Sequence, residues 1–463
     1  MSLQLLLEKI KDKKIIILGF GKEGVSTYNF IRRHFPKMNI TVADRNEELY
    51  TDDINDKHIK FIKGQKYDRN LNNYDLIFKS PGINFNHIDY YIESERITSQ
   101  TDLFLEFFGE QTIGITGTKG KSTTSSLIYH IMSDVNKDTF LVGNIGTPFF
   151  DILEKISSKS LIIAELSAHQ LEFVNTSPKY AVLLNIYQEH LDHFNSFNNY
   201  QIAKLNIAKY QKNGDFLVYN GDDLHIPMLV KGYRIDNDKC VFGTKVHTGY
   251  HVRCSNHLVK FMNDGEIIDE YDLVDYKNLP GTHNYFNIMA AIAICKKLCA
   301  THEQIMKSLL TFKGLSHRIE FVGKYNGIEF YNDSISTIPE ATIAACRALR
   351  EVDTLIIGGF DRGIDYIHLI NFLKNNNIHN IIFTGPAGKR VFQLCCDNKI
   401  VFENVLETDD FEKMTDFAFE KTPNGGIVLL SPAAASYNQF KNFEERGDYF
   451  KESIIKSYKK IKK

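Results

Sequence analysis

The stretch Gly114-Ile-Thr-Gly-Thr-Lys-Gly-Lys-Ser-Thr-Thr124 constrains this chain more than any other. It begins inside a strand-like run, Thr112 to Thr116, passes through a Gly-rich turn and opens a helical pattern from Ser122 onward. A strand, a loop with three glycines and a Lys-Ser pair at a helix start build a phosphate cradle, because backbone N–H groups and the helix N-terminus then face the anion. In that reading Gly117, Thr118, Lys119, Gly120 and Thr123 shape the cradle, Lys121 reaches the β- and γ-phosphates, and the Ser122 hydroxyl ligates magnesium. The strict pattern wants glycine five residues before Gly120, where this chain has Ile115, so the loop is a variant. The plain alternative is a Gly-rich turn.

The surrounding sequence repeats the same rhythm. Ile15 to Leu18, Val25 to Arg33, Ile40 to Ala43 and Leu76 to Phe78 alternate strand and helix character, as a parallel α/β sheet requires. Strands are also expected at Leu161 to Ala164 and Tyr180 to Leu184, then at Ile328 to Tyr331, Thr354 to Ile357, Ile381 to Phe383 and Ile427 to Leu430. The 463 residues exceed what one core organises, and boundaries near Gly109 and Gly314 give three α/β segments: 1–109, 110–314 and 315–463.

Composition excludes several functions. With 55 Lys+Arg against 57 Asp+Glu, the chain lacks the basic footprint of a nucleic-acid or anionic-membrane binder. No run approaches membrane-spanning length, and the short apolar cluster Leu5 to Leu7 lacks a secretory cleavage site. The seven cysteines show no CxxC spacing; an odd, scattered set points to reduced thiols in the cytoplasm.

Other candidate residues fall at strand ends, where open α/β sheets hold their ligands. Glu165 follows the apolar strand Leu161 to Ala164, and His190 lies shortly after Tyr180 to Asn185. A carboxylate and an imidazole near a triphosphate suit magnesium, which takes few protein ligands. Read without their neighbours, both are ordinary surface or cap residues. Near the N-terminus, Gly19-Phe-Gly-Lys-Glu-Gly24 follows a strand and Asp44 closes the next, the pattern of a dinucleotide fingerprint. In the last third, His317-Arg318, Asn332-Asp333-Ser334, Gly358 to Gly363 and Ser431 to Tyr437 occupy predicted linkers or strand ends. A loop arginine there clamps a carboxylate or phosphate, although turn chemistry explains each stretch taken singly.

Taken together, the motifs GITGTKGKSTT at Gly114, GNIG at Gly143, ELS at Glu165, EHLDH at Glu189, GTHNYFN at Gly281, LSHR at Leu315 and NDS at Asn332 resemble the Mur ligase family in order and over almost the whole length. The stretch Leu430 to Gly447 resembles the members that add glutamate to UDP-N-acetylmuramoyl-L-alanine. The resemblance implies an N-terminal Rossmann-like domain for the UDP-sugar, a central P-loop-type ATPase and a C-terminal Rossmann-like domain for the amino acid. It further implies an ATP-dependent ligase of peptidoglycan precursor synthesis, working through an acyl-phosphate as a monomer.

Carried over by residue, Lys121 and Ser122 match the phosphate-loop pair, and Asn144, Glu165 and His190 match residues around magnesium and the reacting carboxylate. Lys204 matches a family lysine that is carbamylated and helps to hold a second magnesium. Asn284, Asn287, Arg318 and Asp333 match ATP contacts; Thr337, Arg362, Ser436 and Phe443 match the glutamate pocket; Gly21, Lys22, Glu23, Asp44, Arg45 and Gly82 are set near the uridine diphosphate. The chain departs from the family at Ile335, where a lysine is common, and has Arg362 where some members have lysine. L-glutamate therefore stands as the alternative to the family-default D-glutamate. The remaining rivals are a folylpolyglutamate-synthase-like ligase, which lacks the N-terminal Rossmann-like domain; an NAD-dependent oxidoreductase, which leaves the Gly114 loop unexplained; and a nucleotide switch without ligase activity.

Overall fold

The computed structural model describes residues 2–462 apart from Tyr50, Asp52, Asp53, Asp89, Val246, Asp275, Lys277 and Arg350. Short β-branched runs become strands buried on both faces, and the intervening amphipathic segments become the helices that cover them. The first sheet has five parallel strands in the order Ile59–Lys63, Ile40–Asp44, Ile15–Leu18, Leu76–Lys79, Ile97–Thr98. The chain leaves Ile15–Leu18 toward one edge and returns on its other side at Leu76–Lys79, which opens a crevice at the carboxyl ends of those two strands.

The second sheet has nine strands, ordered Glu266–Asp272, Leu258–Asn263, Tyr250–Ser255, Asp238–Gly243, Phe216–Asn220, Tyr180–Leu183, Thr112–Thr116, Leu161–Glu165, Thr139–Gly143. The first two pairings are antiparallel and all later ones parallel. Thr112–Thr116 lies between Tyr180–Leu183 and Leu161–Glu165, so the topology reverses at the strand that feeds the Gly-rich loop. The third sheet runs Glu320–Tyr325, Ile328–Asn332, Ile427–Leu430, Thr354–Gly358, Asn380–Thr384, Asn404–Glu407, parallel except for its first pair.

By its internal contacts the chain divides into two compact units, Met1–Val274 with Tyr285–Leu309, and Asp275–Asn284 with Leu310–Lys463. In the first unit one core runs under both sheets: Phe30 packs on Phe150 at 4.8 Å between ring centroids, and Phe104 on Phe149 at 4.6 Å. Each such buried ring contributes about 1.5–3 kcal/mol, so the two sheets are held as one body by their own interior. In the second unit the sheet is covered on both faces. Ile343, Leu369, Ile370 and Val391 pack on one side, and Met414, Ala418, Phe450 and Ile454 on the other.

The expected strands appear with ends extended by one residue at Asp44, Lys79, Glu165, Asn332, Gly358, Asn380 and Thr384, while the strand from Tyr180 ends one residue early, at Leu183. Not foreseen were Ile59–Lys63, Ile97–Thr98, Thr139–Gly143, Phe216–Asn220, Asp238–Gly243, Glu320–Tyr325, Asn404–Glu407 and the ribbon Tyr250–Ser255, Leu258–Asn263, Glu266–Asp272. The outermost strand, Glu-Ile-Ile-Asp-Glu-Tyr-Asp, buries only Tyr271, so its hydrophobic signal is faint, and a register shift at Phe261/Met262 bends its pairing. All seven cysteines are unpaired. Among the described residues no helix is long and apolar enough to cross a membrane.

Candidate functional site

Three strand ends of the nine-stranded sheet meet at the topological reversal. From Thr112–Thr116 the chain enters the Gly-rich loop and then helix Lys121–Val135, whose first residue follows Gly120 at φ +86°. That left-handed turn admits glycine because a Cβ there would lie 2.3 Å from Asn287 Oδ1. Asn287 in turn accepts a hydrogen bond from Thr124 Oγ1 at 3.2 Å. Asn185, just past the neighbouring strand, clasps the loop from the other side. Its Oδ1 accepts from Lys119 N–H at 2.8 Å, its Nδ2 donates to Lys119 O at 2.9 Å, and its own carbonyl accepts from Thr118 N–H at 2.8 Å. Sequence reasoning missed Asn185; its position immediately after the strand was the available signal.

Two lysines converge on this loop. Lys121 Nζ donates to Gly117 O at 2.9 Å and Thr118 O at 3.0 Å, and Lys204 Nζ donates to the same Gly117 carbonyl at 2.8 Å. Lys204 is 1% exposed, on helix Phe197–Lys209, with its ammonium 4.8 Å from the Tyr200 ring centroid. Burial, reinforced by the nearby Lys121 charge, holds its pKa well below the ordinary lysine range, against the pull of Glu189 and Glu165. Tyr200 closes the group through its hydroxyl, 3.0 Å from Thr118 Oγ1.

Glu165 ends its strand fully buried. Its Oε1 accepts from Asn144 Nδ2 at 2.7 Å, while its Oε2 is buried without a hydrogen-bond partner. An orphaned carboxylate oxygen in a buried site calls for a cation or a donor that arrives with the ligand. Asn144 is brought there by Gly143, at φ +99°, where a Cβ would lie 2.2 Å from Glu165 O. His190 occupies the left-handed region at φ 57° and caps the short helix Leu191–Phe194. Its ring lies 4.8 Å from His169 and 6.1 Å from Tyr200, centroid to centroid. His169, also missed by sequence reasoning, is pushed down to about 4 by burial and by the His193 and His190 charges.

Lys121, Asn144, Glu165, His190 and Lys204 thus share one end of one sheet, with Ser122 and Thr123 at the helix start. Among the described residues no group of three His, Cys, Asp or Glu side chains is arranged to hold a metal by itself. The donor set suits a hard cation that takes most of its ligands from phosphate oxygens and water.

At the five-stranded sheet, Gly19 turns at φ +85° and Gly24 packs where a Cβ would meet Gly19 O at 2.0 Å. Gly21 precedes helix Lys22–His34. Asp44 accepts from Phe20 N–H at 2.7 Å and Asn46 N–H at 2.8 Å, so it shapes the crevice while Arg45 and Gly82 stay exposed beside it. Lys22 Nζ donates to Gly146 O at 2.9 Å. Glu23 is half-buried and accepts from Gln170 Nε2 at 2.7 Å, and desolvation raises its pKa.

The second unit holds the other candidates. Asn284 Nδ2 donates to Pro280 O at 2.7 Å. Asp333 accepts from Ser431 Oγ at 2.7 Å and Ile319 N–H at 3.1 Å; burial pushes it up to about 6, opposed by hydrogen bonds from Ser336, Ser431 and Ile319 and then by the Arg318 charge. Arg362 is exposed and donates to Thr337 O at 3.0 Å. The same unit buries Arg446, which sequence reasoning overlooked. It is 3% exposed and donates to Ser334 Oγ, Ser334 O, Ala434 O and Ala435 O at 2.8–3.1 Å. Those bonds fix the loops carrying Ser436 and Ser334, and Ser334 Oγ bonds Phe443 O at 2.8 Å. Ile335 donates its N–H to His317 O, and its side chain supplies no charge.

The chain matches the family model of the Mur ligase middle domain over residues 115–295, and that of the Mur ligase MurD-like N-terminal domain over residues 13–93. It is 32% identical over 466 residues to the UDP-N-acetylmuramoylalanine–D-glutamate ligase of Listeria innocua, covering 99% of each chain. It is 34% identical over 463 residues to the protein of that name from Clostridioides difficile, covering 96% of this chain and 99% of that one. Two solved structures share the fold. The UDP-N-acetylmuramate-alanine ligase MurC of Thermotoga maritima has a TM-score of 0.57 at 19% identity, covering 97% of this chain and 100% of that one. The MurF ligase of the same organism, in complex with ADP, has a TM-score of 0.57 at 18% identity, covering 96% and 95%. Two family models and relatives matched from end to end lead to one assignment: the chain belongs to the Mur ligase family, among its MurD-like members.

Proposed function

We propose that the chain uses ATP to join glutamate, in its D form, to UDP-N-acetylmuramoyl-L-alanine through an acyl-phosphate, as a step of peptidoglycan precursor synthesis in the cytoplasm. The observation that carries the reading is the convergence of Lys121 and Lys204 on the Gly117 carbonyl, beside a buried Glu165 with one free carboxylate oxygen. Full-length likeness to UDP-N-acetylmuramoylalanine–D-glutamate ligases supports the choice of substrates.

The chemistry demands such a site. A carboxylate is a poor electrophile until one oxygen becomes a leaving group, so the alanyl carboxylate first takes the γ-phosphoryl of ATP. The glutamate amine then attacks the acyl carbon, loses a proton, and phosphate departs. Two anions must approach each other in the first step, and cationic and N–H donors supply the required neutralisation. Lys121 would exchange its loop carbonyls for phosphate oxygens, and the N-terminus of helix Lys121–Val135 would face the β-phosphate.

Ser122, Glu165, His190 and Lys204 would hold magnesium, which when bound neutralises charge on the transferring phosphoryl group. For Lys204 to join, its neutral amine adds to carbon dioxide and releases a proton, leaving a carbamate anion. Its depressed pKa favours the neutral amine that this addition needs. In this reading Gly117 to Thr123, Asn284, Asn287, Arg318 and Asp333 contact ATP, while Gly21, Lys22, Glu23, Asp44, Arg45 and Gly82 serve the uridine diphosphate. Thr337, Arg362, Ser436 and Phe443 take the glutamate, within segments drawn at 1–109, 110–314 and 315–463, in a monomer.

The test is phosphate release from ATP that requires both UDP-N-acetylmuramoyl-L-alanine and glutamate, with D- and L-glutamate offered separately. Release dependent on the D form supports the reading. Release without the sugar nucleotide, or with L-glutamate alone, overturns it in whole or in the choice of enantiomer.

A further inference from the structure

A second set of charged groups in the first unit is built between the two sheets, outside every candidate named above. Lys79 ends the strand Leu76–Lys79, and its side chain is only 2% exposed. Its ammonium meets Glu172 Oε2 at 3.0 Å and lies 5.0 Å from the Phe173 ring centroid. The same carboxylate oxygen receives His193 Nε2 at 3.0 Å. His193 sits three residues beyond His190, and its N–H donates to His190 O at 3.1 Å. Its own carbonyl accepts from Asn86 Nδ2 at 2.6 Å, while Phe85 packs on Phe173 at 5.8 Å between centroids. The rings of His193 and His190 both lie against His169, at 4.3 and 4.8 Å.

These contacts join two places that must act together. Lys79 and Asn86 flank the turn around Gly82, beside the crevice assigned to the sugar nucleotide; His193 anchors the loop that carries His190. A buried ion pair is a poor way to gain stability alone, because desolvation offsets most of the attraction and an apolar pair of similar volume does as well or better. What the pair provides is direction: a charge-assisted bond fixes where Glu172 points, and Glu172 fixes His193.

We propose that Lys79, Glu172 and His193 are positioning residues, which carry the placement of the 79–86 segment to His190 and so couple sugar-nucleotide binding to the phosphate site. The inference rests on the ligase reading above. Displacement of a reacting group by about 1 Å costs on the order of 10²-fold in rate, so a small rotation of the His190 loop suffices.

The experiment measures ADP–magnesium affinity by calorimetry, with and without UDP-N-acetylmuramoyl-L-alanine, in the full chain and two variants. In the unmodified chain the sugar nucleotide should change ADP affinity by about 5-fold or more, within the usual range of coupled sites. In Glu172→Gln that factor should fall below about 2-fold, and kcat should drop by about 10- to 100-fold with KM for ATP little changed. The double variant Lys79→Met/Glu172→Leu removes both charges and refills the space, so its thermal midpoint should recover while coupling and kcat stay low. Recovery of kcat together with stability would make the network merely structural and overturn the proposal, as would an uncoupled unmodified chain. An unmodified chain that releases no phosphate with both substrates would instead refute the ligase reading, so the two failures are distinguishable.

Discussion

Replacing Gly120 by alanine tests the geometry of the phosphate loop at its tightest point. The residue sits at φ +86°, and an added methyl would come within 2.3 Å of Asn287 Oδ1. Holding a non-glycine residue in the left-handed region costs about 1–2 kcal/mol. To clear the methyl, Asn287 must swing away and surrender the Thr124 hydrogen bond, which adds about 1 kcal/mol. The native loop should therefore become about 2–3 kcal/mol less favourable. If the free loop relaxes, nucleotide binding must restore the native form, and ADP affinity falls by up to about 30- to 150-fold. If it does not relax, the same penalty appears as a lower thermal midpoint. Calorimetry with ADP and magnesium, read beside thermal unfolding, captures both parts. Asn287→Ala separates the contributions: in that background Gly120→Ala should cost only the backbone part, so the two substitutions are non-additive by about 1 kcal/mol. A Gly120→Ala chain unchanged in both affinity and thermal midpoint would refute the reasoning.

Lys121→Ala should abolish phosphate release while leaving UDP-N-acetylmuramoyl-L-alanine affinity nearly intact, because the loop and the five-stranded sheet's crevice are separate; parallel loss of sugar-nucleotide binding in calorimetry would count against it. Lys204→Ala should be nearly inactive and regain activity with added short carboxylic acids that stand in for the carbamate; a fully active variant would remove Lys204 from the mechanism. Asp333, raised to about 6 from 3.8, contributes stability that is fully present below pH ~4 and is lost as pH rises through 6, a loss of about 3 kcal/mol. Asp333→Asn should therefore gain thermal midpoint relative to the parent between pH 4 and 7, and parallel melting curves across that range would contradict it. Arg446→Lys cannot reach all four acceptors, so it should lose about 2–3 kcal/mol of stability and raise KM for glutamate more than KM for ATP. Equal changes in both KM values would argue against a role in the amino-acid pocket.

What the sequence revealed follows from which signals are local. The strand-to-helix turn at Gly114 was legible because glycines and the Lys-Ser pair serve that geometry within a dozen residues. Glu165 and His190 were legible because each follows a strand-like run. Asn185 carries the same signal and was overlooked, whereas His169, Glu172 and Arg446 were not legible, since their partners lie far off in sequence: Glu172 meets Lys79, and Arg446 meets Ser334. Lys204 looked like any helical lysine until packing left it 1% exposed over Gly117 O. The ribbon Tyr250–Ser255 to Glu266–Asp272 escaped because half-exposed strands carry too few apolar residues to announce a period.

That ribbon also decides where the nine-stranded sheet stops. A sheet margin exposes a row of N–H and C=O groups that invites any extended chain to continue it. Here the final strand carries Glu266, Asp269, Glu270 and Asp272 along its length and is bent by the shift at Phe261/Met262. Lys260 pairs with Glu270 and Lys296 with Asp269, so part of that charge is met within the same unit, and an approaching copy of the strand would find the remainder on a curved rim. Shape and the remaining charge thus disfavour continuation of the sheet at this margin, even with Ile267 and Ile268 facing water.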